Sequence, residues 1–579
     1  MRLKGLAAVL AAGGALAAAA LTGWPRENGY QLIWVVLMAL AGFFTVRFFE
    51  KKDRRAQWCF GILGWLFVFA MGLGMRLEAI DRTGWSGLML CALFGALWGP
   101  AAGGAALMLS ERMEAWKATG EASVKKVFWI SMAVLFVCWL PVQLAYFPGC
   151  FGYDVNGQVS QIVYSSWHTH HPLVHTLLVC GFWAGGGALG SHTMGILGYV
   201  IVQMLGMAAA MAYALSYLAQ LRCPRGVRIA LTIFLALAPQ HPVMAIGVTK
   251  DVPFAIFMVL ACVELHKLFR EPERLRSWKK MLRLALVLIC LCLFRNNAPM
   301  AIAVFAVAAV ILIGRGSRVR MAALLAAVLV GQSAVTAGIV AILDADKGAI
   351  NEMLSVPAQQ LARIYDKYGY DEPTNYEVIE WVPHADMYQA SRADFTKLHL
   401  KVQREGELVG FLKFWVRELF HFPIEYIDAF LLNAKGYWYP DDKSFATVYG
   451  EWPEAQVGAL IIEQFDNEVE YTVEYTDCIP WLREIFDSLF VRNNYQSIPG
   501  LSTLIHPATY TWMLLYALAW AVWRRKWAVL ATGMLMLMYL LTLFLGPCTL
   551  VRYCYYLMVA APILVAMLLA KENQRDCLP

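Results

Sequence analysis

Residues 283–313 read RLALVLICLCLFRNNAPMAIAVFAVAAVILI. After Arg283, apolar side chains fill this stretch except where Phe294-Arg295-Asn296-Asn297-Ala298-Pro299 interrupts it with Arg295, Asn296 and Asn297. A membrane-spanning helix needs about 20 mostly apolar residues, and an apolar stretch of this kind broken once by a polar, Pro-bearing turn predicts a helical hairpin inside a bilayer. Working outward, comparable runs recur at 5–23, 31–49, 57–75, 84–109, 127–146, 193–219, 229–247 and 252–269. They continue, beside 283–295 and 297–313, at 321–343, 505–523, 527–546 and 551–570, with one ambiguous run at 172–189.

Composition agrees. Of 579 residues, 59% are hydrophobic and 16% charged, against about 45–50% and about 25% in soluble chains. So little charge cannot solvate so much apolar surface, which excludes a wholly soluble chain and a disordered one. The net charge of +6 conceals two regions. Residues 344–502 carry 13 Lys+Arg and 27 Asp+Glu, a net of −14, so the remainder is +20. That basic excess borders apolar runs and needs no nucleic acid to explain it, since lysine and arginine anchor and orient membrane helices.

Six basic clusters set the expected topology. They centre on Arg47–Arg55, Arg112–Lys126, Arg222–Arg228, Arg270–Arg283, Arg315–Arg320 and Arg524–Lys526. All fall on the cytoplasmic side if 172–189 is a re-entrant or interfacial helix and not a span. The expectation is an all-α polytopic membrane protein with about 14 transmembrane helices and both termini in the cytoplasm. The run 5–23 also resembles a signal peptide, whose removal would leave the later topology unchanged. The expected organisation is a four-helix extension at 1–126, a membrane core at 127–343 with an outer loop at 147–192, an acidic outer domain at 344–502, and three helices at 503–579. Within the outer domain, 396–420 predicts an amphipathic helix, and Pro357, Pro373, Pro383, Pro423, Pro440 and Pro453 divide it into short elements. The thirteen Cys form no CxxC pair, and Cys150, Cys478 and Cys548 are the outward ones, where a disulfide is one alternative. No Gly-x-x-x-x-Gly-Lys-Ser/Thr loop is present, which argues against ATP-driven transport by this chain alone.

The outer loop concentrates chemistry. Tyr153-Asp154-Val-Asn-Gly-Gln158 is followed by His168-Thr-His170-His171-Pro172, with His175 one turn on. Asp154 is the only carboxylate between Glu121 and Asp251. An isolated acid beside Tyr153 and Gln158 suits a general base that takes a proton from an acceptor hydroxyl; a turn-ordering Asp is the alternative. His168, His170 and His171 suit substrate or phosphate contact, structural hydrogen bonding, or, with Asp154, a divalent metal such as Mg or Mn. Thr249-Lys250-Asp251 supplies a cation beside a second acid, which either caps a helix or assists acid–base chemistry. Arg295 near membrane depth needs a partner, a pyrophosphate or a protein carboxylate. Lys250, Arg295 and Arg552 are expected on one outer face near Asp154, as a clamp for an anionic leaving group. Glu264 is expected to pair with Lys267.

Several of these motifs stand in a familiar order. Tyr-Asp-x-x-x-Gln at 153–158 precedes His-His-Pro at 170–172, Lys250-Asp-x-Pro-Phe and Arg295-Asn-Asn. Pro357-Ala-Gln-Gln-Leu-Ala-Arg363, Gly436-Tyr-Trp-Tyr-Pro440 and Val551-Arg552-Tyr553 follow. The pattern resembles bacterial multi-pass membrane proteins described as glycosyltransferase-like or of unknown function, and its layout is similar to GT-C glycosyltransferases. The resemblance spans roughly 127–570. It implies a GT-C-like core with a re-entrant or juxtamembrane helix at 172–189 and a mixed, mainly helical outer domain. It also implies a polyprenyl-phosphate or polyprenyl-diphosphate sugar donor, a cell-envelope acceptor, and transfer at the outer face of the bacterial plasma membrane. Carried over by position, Asp154 matches the outer-loop acid. Asp154 stands alone, however, where many GT-C enzymes have two acids, which leaves metal dependence open. A transporter or flippase of an envelope lipid and a non-catalytic assembly protein are the other functional classes. The first predicts polar helix breaks near the bilayer midplane, whereas here the polar residues gather at the outer rim.

Overall fold

In the computed structural model the described residues are 30–116, 123–443 and 476–570, apart from 152, 347, 349, 370–371, 399 and 403–404, together with 460–464, 467–471 and 473. The expected first run, 5–23, lies outside them. The chain is mainly helical. Helices α1 (Tyr30–Glu50), α2 (Arg54–Ile80), α3 (Gly84–Glu114) and α4 (Val124–Ala145) precede a two-residue strand β1 (Cys150–Phe151). Then come α5 (Tyr153–Val163), α6 (Leu173–Ala188), α7 (His192–Gln220), α8 (Arg225–Leu237), α9 (Gln240–Ile246) and strand β2 (Gly247–Val248). Helices α10 (Asp251–Arg270), α11 (Trp278–Leu293), α12 (Ala298–Leu312) and α13 (Arg318–Leu343) complete the central portion.

The segment after α13 forms α14 (Ser355–Tyr368), α15 (Thr374–Trp381), α16 (Glu405–His421) and α17 (Pro423–Asn433), then a hairpin of β3 (Leu460–Gln464) and β4 (Asn467–Tyr471). Helix α18 (Pro480–Phe490) leads back to α19 (Pro507–Trp523), α20 (Trp527–Leu543) and α21 (Tyr555–Leu568).

Among the described residues six helices are long and apolar enough to cross a membrane: α2, α3, α4, α7, α10 and the span ending α13. This fits a polytopic membrane protein. The run 229–247 is broken into α8 and α9, bent by 55°. Pro239 disfavours helical dihedrals at Ala238, which is extended (φ −64°, ψ 124°). Four other apolar runs fold as shorter helices: α6, α12, α20 and the stretch Arg552–Leu568. At about 1.5 Å per residue, the 16 residues of α6 reach about 24 Å, short of a bilayer core.

Local signals account for the helix ends. Asp53 caps α2 by accepting the Ala56 amide at 2.9 Å, and Asp81 closes it in the left-handed region (φ 50°). Ser191 caps α7 through Met194. Helices α2 and α3 approach through glycines. A Cβ on Gly103 would lie 2.2 Å from the Phe60 carbonyl oxygen, and one on Gly64 would lie 2.1 Å from that of Gly99.

One large apolar core joins these helices. A second core, around Leu361, Ile364, Val378, Phe411, Phe414 and Tyr426, belongs to α14–α17. That unit grips the α2–α3 turn. Arg363, whose side chain is 1% exposed, donates to Asp81 Oδ2 at 2.9 Å, and Asp428 accepts from the Thr83 amide at 3.0 Å. The expected amphipathic helix at 396–420 forms as α16, starting later. Cys150, Cys478 and Cys548 are free thiols. Glu264 pairs with Lys267 at 3.3 Å as expected, and additionally with Arg283 and Tyr213.

Gly103→Ala is expected to lower the thermal stability of detergent-solubilised protein by about 1–3 kcal/mol, the cost of overpacking a tight contact. Gly338→Ala, where a Cβ meets nothing within 4 Å, is the neutral control. Equal melting of the two variants in a fluorescence-detected thermal shift refutes the close approach.

Candidate functional site: an alternating ion chain

A short parallel ladder builds the site. Cys150 pairs with Gly247 and Phe151 with Val248. Asp154 follows one strand by three residues and Lys250 follows the other by two, so this register carries both side chains to the same end. Gln203 on α7 holds β2 in place, donating to the carbonyls of Ala245 (2.9 Å) and Gly247 (2.8 Å). Its own carbonyl accepts from the Tyr199 hydroxyl at 3.0 Å. Tyr199 accepts in turn from His175 Nε2 at 3.0 Å, and His175 Nδ1 accepts from Gln158 at 2.9 Å. This directed chain satisfies buried polar groups and ties α5, α6 and α7 to β2. It also corrects the expectation for Gln158, which faces His175 and Thr176 and not the acid beside it.

Five charged side chains alternate in sign. The Lys250 ammonium donates to Asp154 Oδ2 at 2.9 Å, and Arg552 Nη1 reaches the same oxygen at 3.0 Å. Arg552 Nη1 also lies 3.5 Å from Asp251 Oδ2, while Asp251 Oδ1 meets Arg295 Nη2 at 3.0 Å. The order is Lys250, Asp154, Arg552, Asp251, Arg295, so the central arginine bridges both acids and each end is a cation. Flanking groups fix the ends. Lys250 also donates to His171 Nδ1 at 2.9 Å, and Arg295 Nε donates to the Tyr539 hydroxyl at 2.9 Å, its guanidinium 4.7 Å from the Tyr553 ring centre. Thr249 donates to Asp251 Oδ2 at 2.9 Å.

Asp251 is therefore a bridge between arginines; Lys250 holds the N-cap position of α10 without a side-chain cap bond. Arg295 finds its partner in a protein carboxylate. Asp154 is not a solitary acid. Burial alone would raise its carboxyl, but Lys250 and Arg552, aided by His171, hold it well below the usual carboxylate range. Burial draws the Lys250 ammonium below its ordinary value against the field of Asp154, with Arg552 and Arg295 adding to the fall. Burial, reinforced by Lys250, pushes the His171 imidazole down to about 3, so it is neutral at physiological pH.

Both terminal cations line one cleft of about 190 Å³, with His170, Asn296, Asn297, Thr542 and Tyr553. Asn297 donates to Thr542 at 2.8 Å, and Asn296 donates to the carbonyls of Thr169 and His170. The unit of α14–α17 forms the rim: the Ala393 amide donates to the Pro547 carbonyl at 2.7 Å, and Asn433 donates to that of Gly546 at 2.9 Å. The backbone of His168 pairs with that of Asp346 in the linker that follows α13. The side chain of Tyr153 lies outside the described residues. Among the described residues no group of three His, Cys, Asp or Glu is placed to hold a metal ion. Asp154 and His171 spend their facing atoms on Lys250 and Arg552, which disfavours the metal set Asp154, His170 and His171. Sequence reasoning missed Tyr539 and Thr542, polar groups in an apolar run whose only signal is the hydroxyl itself.

With this geometry in view, the comparison with known families is informative. Residues 165–577 match the family of unknown function DUF6020. The chain belongs to that family. The match takes in His168 to Arg552 and begins after Asp154. No curated protein and no solved structure matches.

The Asp154 pairing has a pH signature. A folded value below the unfolded one makes its stabilisation complete above the ordinary aspartate value near about 4 and lost as pH falls through the lower folded value. Melting temperatures are expected to show no Asp154-dependent change between about pH 5 and 8. A transition inside that window that Asp154→Asn abolishes would contradict the ion chain.

Proposed function

We propose that this protein is a membrane-embedded glycosyltransferase that moves a sugar from a polyprenyl-phosphate or polyprenyl-diphosphate carrier to a cell-envelope acceptor at the outer face. The observation that supports this reading is the ion chain, whose two terminal cations, Lys250 and Arg295, line one cleft. A phosphate entering that cleft would give each end cation a second anionic partner. The same site offers a base. As the donor phosphate draws Lys250 toward itself, Asp154 loses part of the field that suppresses its basicity.

In the proposed step the acceptor hydroxyl yields its proton to Asp154. Its oxygen bonds to the anomeric carbon, and the carbon–oxygen bond to phosphate breaks, the phosphate leaving with the electron pair. Lys250 and Arg295 stabilise the charge that develops on it. Arg552 holds Asp154 and Asp251 in register and is a positioning residue. The acceptor would approach under the rim made by the outer unit. The accompanying topology is the one drawn from the basic clusters, with fourteen spans, cytoplasmic termini and 344–502 outside the bacterial plasma membrane.

With purified protein and radiolabelled polyprenyl-linked sugars, Asp154→Asn is expected to lower transfer by about 10²- to 10⁴-fold, the usual worth of a general base, while lipid-phosphate binding persists. Full transfer by this variant rules out the base. For topology, Ser166→Cys and Tyr376→Cys, in a background with Cys478 replaced, are expected to react with an impermeant thiol reagent on whole cells, and Arg276→Cys is not. Labelling at 276 overturns the sidedness.

A further inference from the structure

A second cleft, of about 350 Å³, adjoins the ionic one. The two share Pro172 and Asn296 in their walls. Leu173 and Val174 at the start of α6, Leu293 and Pro299 at the α11–α12 turn, and Thr336 and Ile339 on α13 line the second cleft. Its cause is visible in how α13 packs. All four buried residues of this helix, Met321, Leu324, Leu325 and Val328, lie in the half nearer its basic start. From 329 to 343 none is buried, and only 11% of its apolar window is covered by protein. The helix is seated at one end and stands away from the bundle at the other, and the cleft is the resulting wedge. An apolar helix this bare of protein contacts faces hydrocarbon in a bilayer.

We propose that this wedge seats one hydrocarbon chain of an anionic lipid whose phosphate lies on Lys250 and Arg295. The inference rests on the phosphate-binding reading of the ionic cleft and adds where the lipid enters. Chemistry in the wall changes in the direction required. His171 and Asn296 stand where the two clefts meet, and Leu293, Pro299 and Ile339 offer hydrocarbon to the chain. Charge complementarity favours an anionic head group, since the adjoining cleft ends in cations on both sides. The lipid enters sideways from the bilayer, between α6 and α13, without leaving the membrane.

Two sources share this chemistry, a polyprenyl phosphate and an ordinary acidic phospholipid. The test is binding to the full-length protein in detergent, read by native mass spectrometry, with a long-chain polyprenyl phosphate, phosphatidylglycerol and inorganic diphosphate as separate probes. Thr336→Trp, which fills the wedge, is expected to weaken polyprenyl-phosphate binding at least tenfold and leave diphosphate binding unchanged. Lipid binding equal to wild type in this variant overturns the wedge while leaving the phosphate site standing. Failure of the wild type to bind any of the three probes overturns the phosphate reading itself. Stronger binding of phosphatidylglycerol than of polyprenyl phosphate supports the wedge with a phospholipid as its occupant. Should Thr336→Trp fail to fold, a diazirine-tagged polyprenyl phosphate on the wild-type protein is expected to label 173–174 and 332–339. Labelling elsewhere only, or a protein–protein crosslink through α13 that excludes lipid, overturns the proposal.

Discussion

Much of this structure depends on one electrostatic constraint: charges taken out of water must find partners. Lys250, Asp154, Arg552, Asp251 and Arg295 come from four separate parts of the chain and are all largely buried. A lone charge at that depth costs several kcal/mol, and removing one member of a buried pair typically costs about 3–5 kcal/mol. Alternation of sign resolves the cost for the interior of the row. It leaves the two end cations with one carboxylate each among the described residues, and both face a cleft. The same arrangement that makes the row tolerable makes its ends receptive to an anion.

The surrounding fold holds that row in register. A two-residue ladder is too short to be stable alone, so the buried chain from Gln158 through His175, Tyr199 and Gln203 fastens β2 to the helices. The unit of α14–α17 is bound at two places. Arg363 and Asp428 fix them to the α2–α3 turn, and Asn433 and Ala393 fix them to the loop 546–547 that lines the cleft. The N-terminal helices thus have a structural task, since the α2–α3 turn supports the unit that forms the rim of the site.

The sequence made the charged residues conspicuous because the apolar background is so strong. Asp154, Lys250, Asp251, Arg295 and Arg552 were legible as outliers. Gln158 was equally conspicuous, and its amide nitrogen binds His175 and Thr176 within the packed helices. Tyr539 was invisible for the opposite reason, an aromatic ring in an apolar helix being unexceptional until its hydroxyl meets Arg295. Hydropathy alone also left the course of each run open. Apolar content shows that a run is excluded from water, but not that the helix is straight or long enough to cross, as the bend at Ala238-Pro239 demonstrates.

By itself, the sequence determined the class of the protein, its apolar helical character, the acidic composition of 344–502 and the short set of residues worth examining. These are properties of composition and local periodicity, which need no knowledge of distant contacts. The tertiary structure decided which charge meets which, that Asp154 is gripped by two cations, and that α13 opens a wedge beside them. Those facts depend on pairings across as many as 398 residues of chain, and no local pattern encodes the distance at which two side chains finally meet.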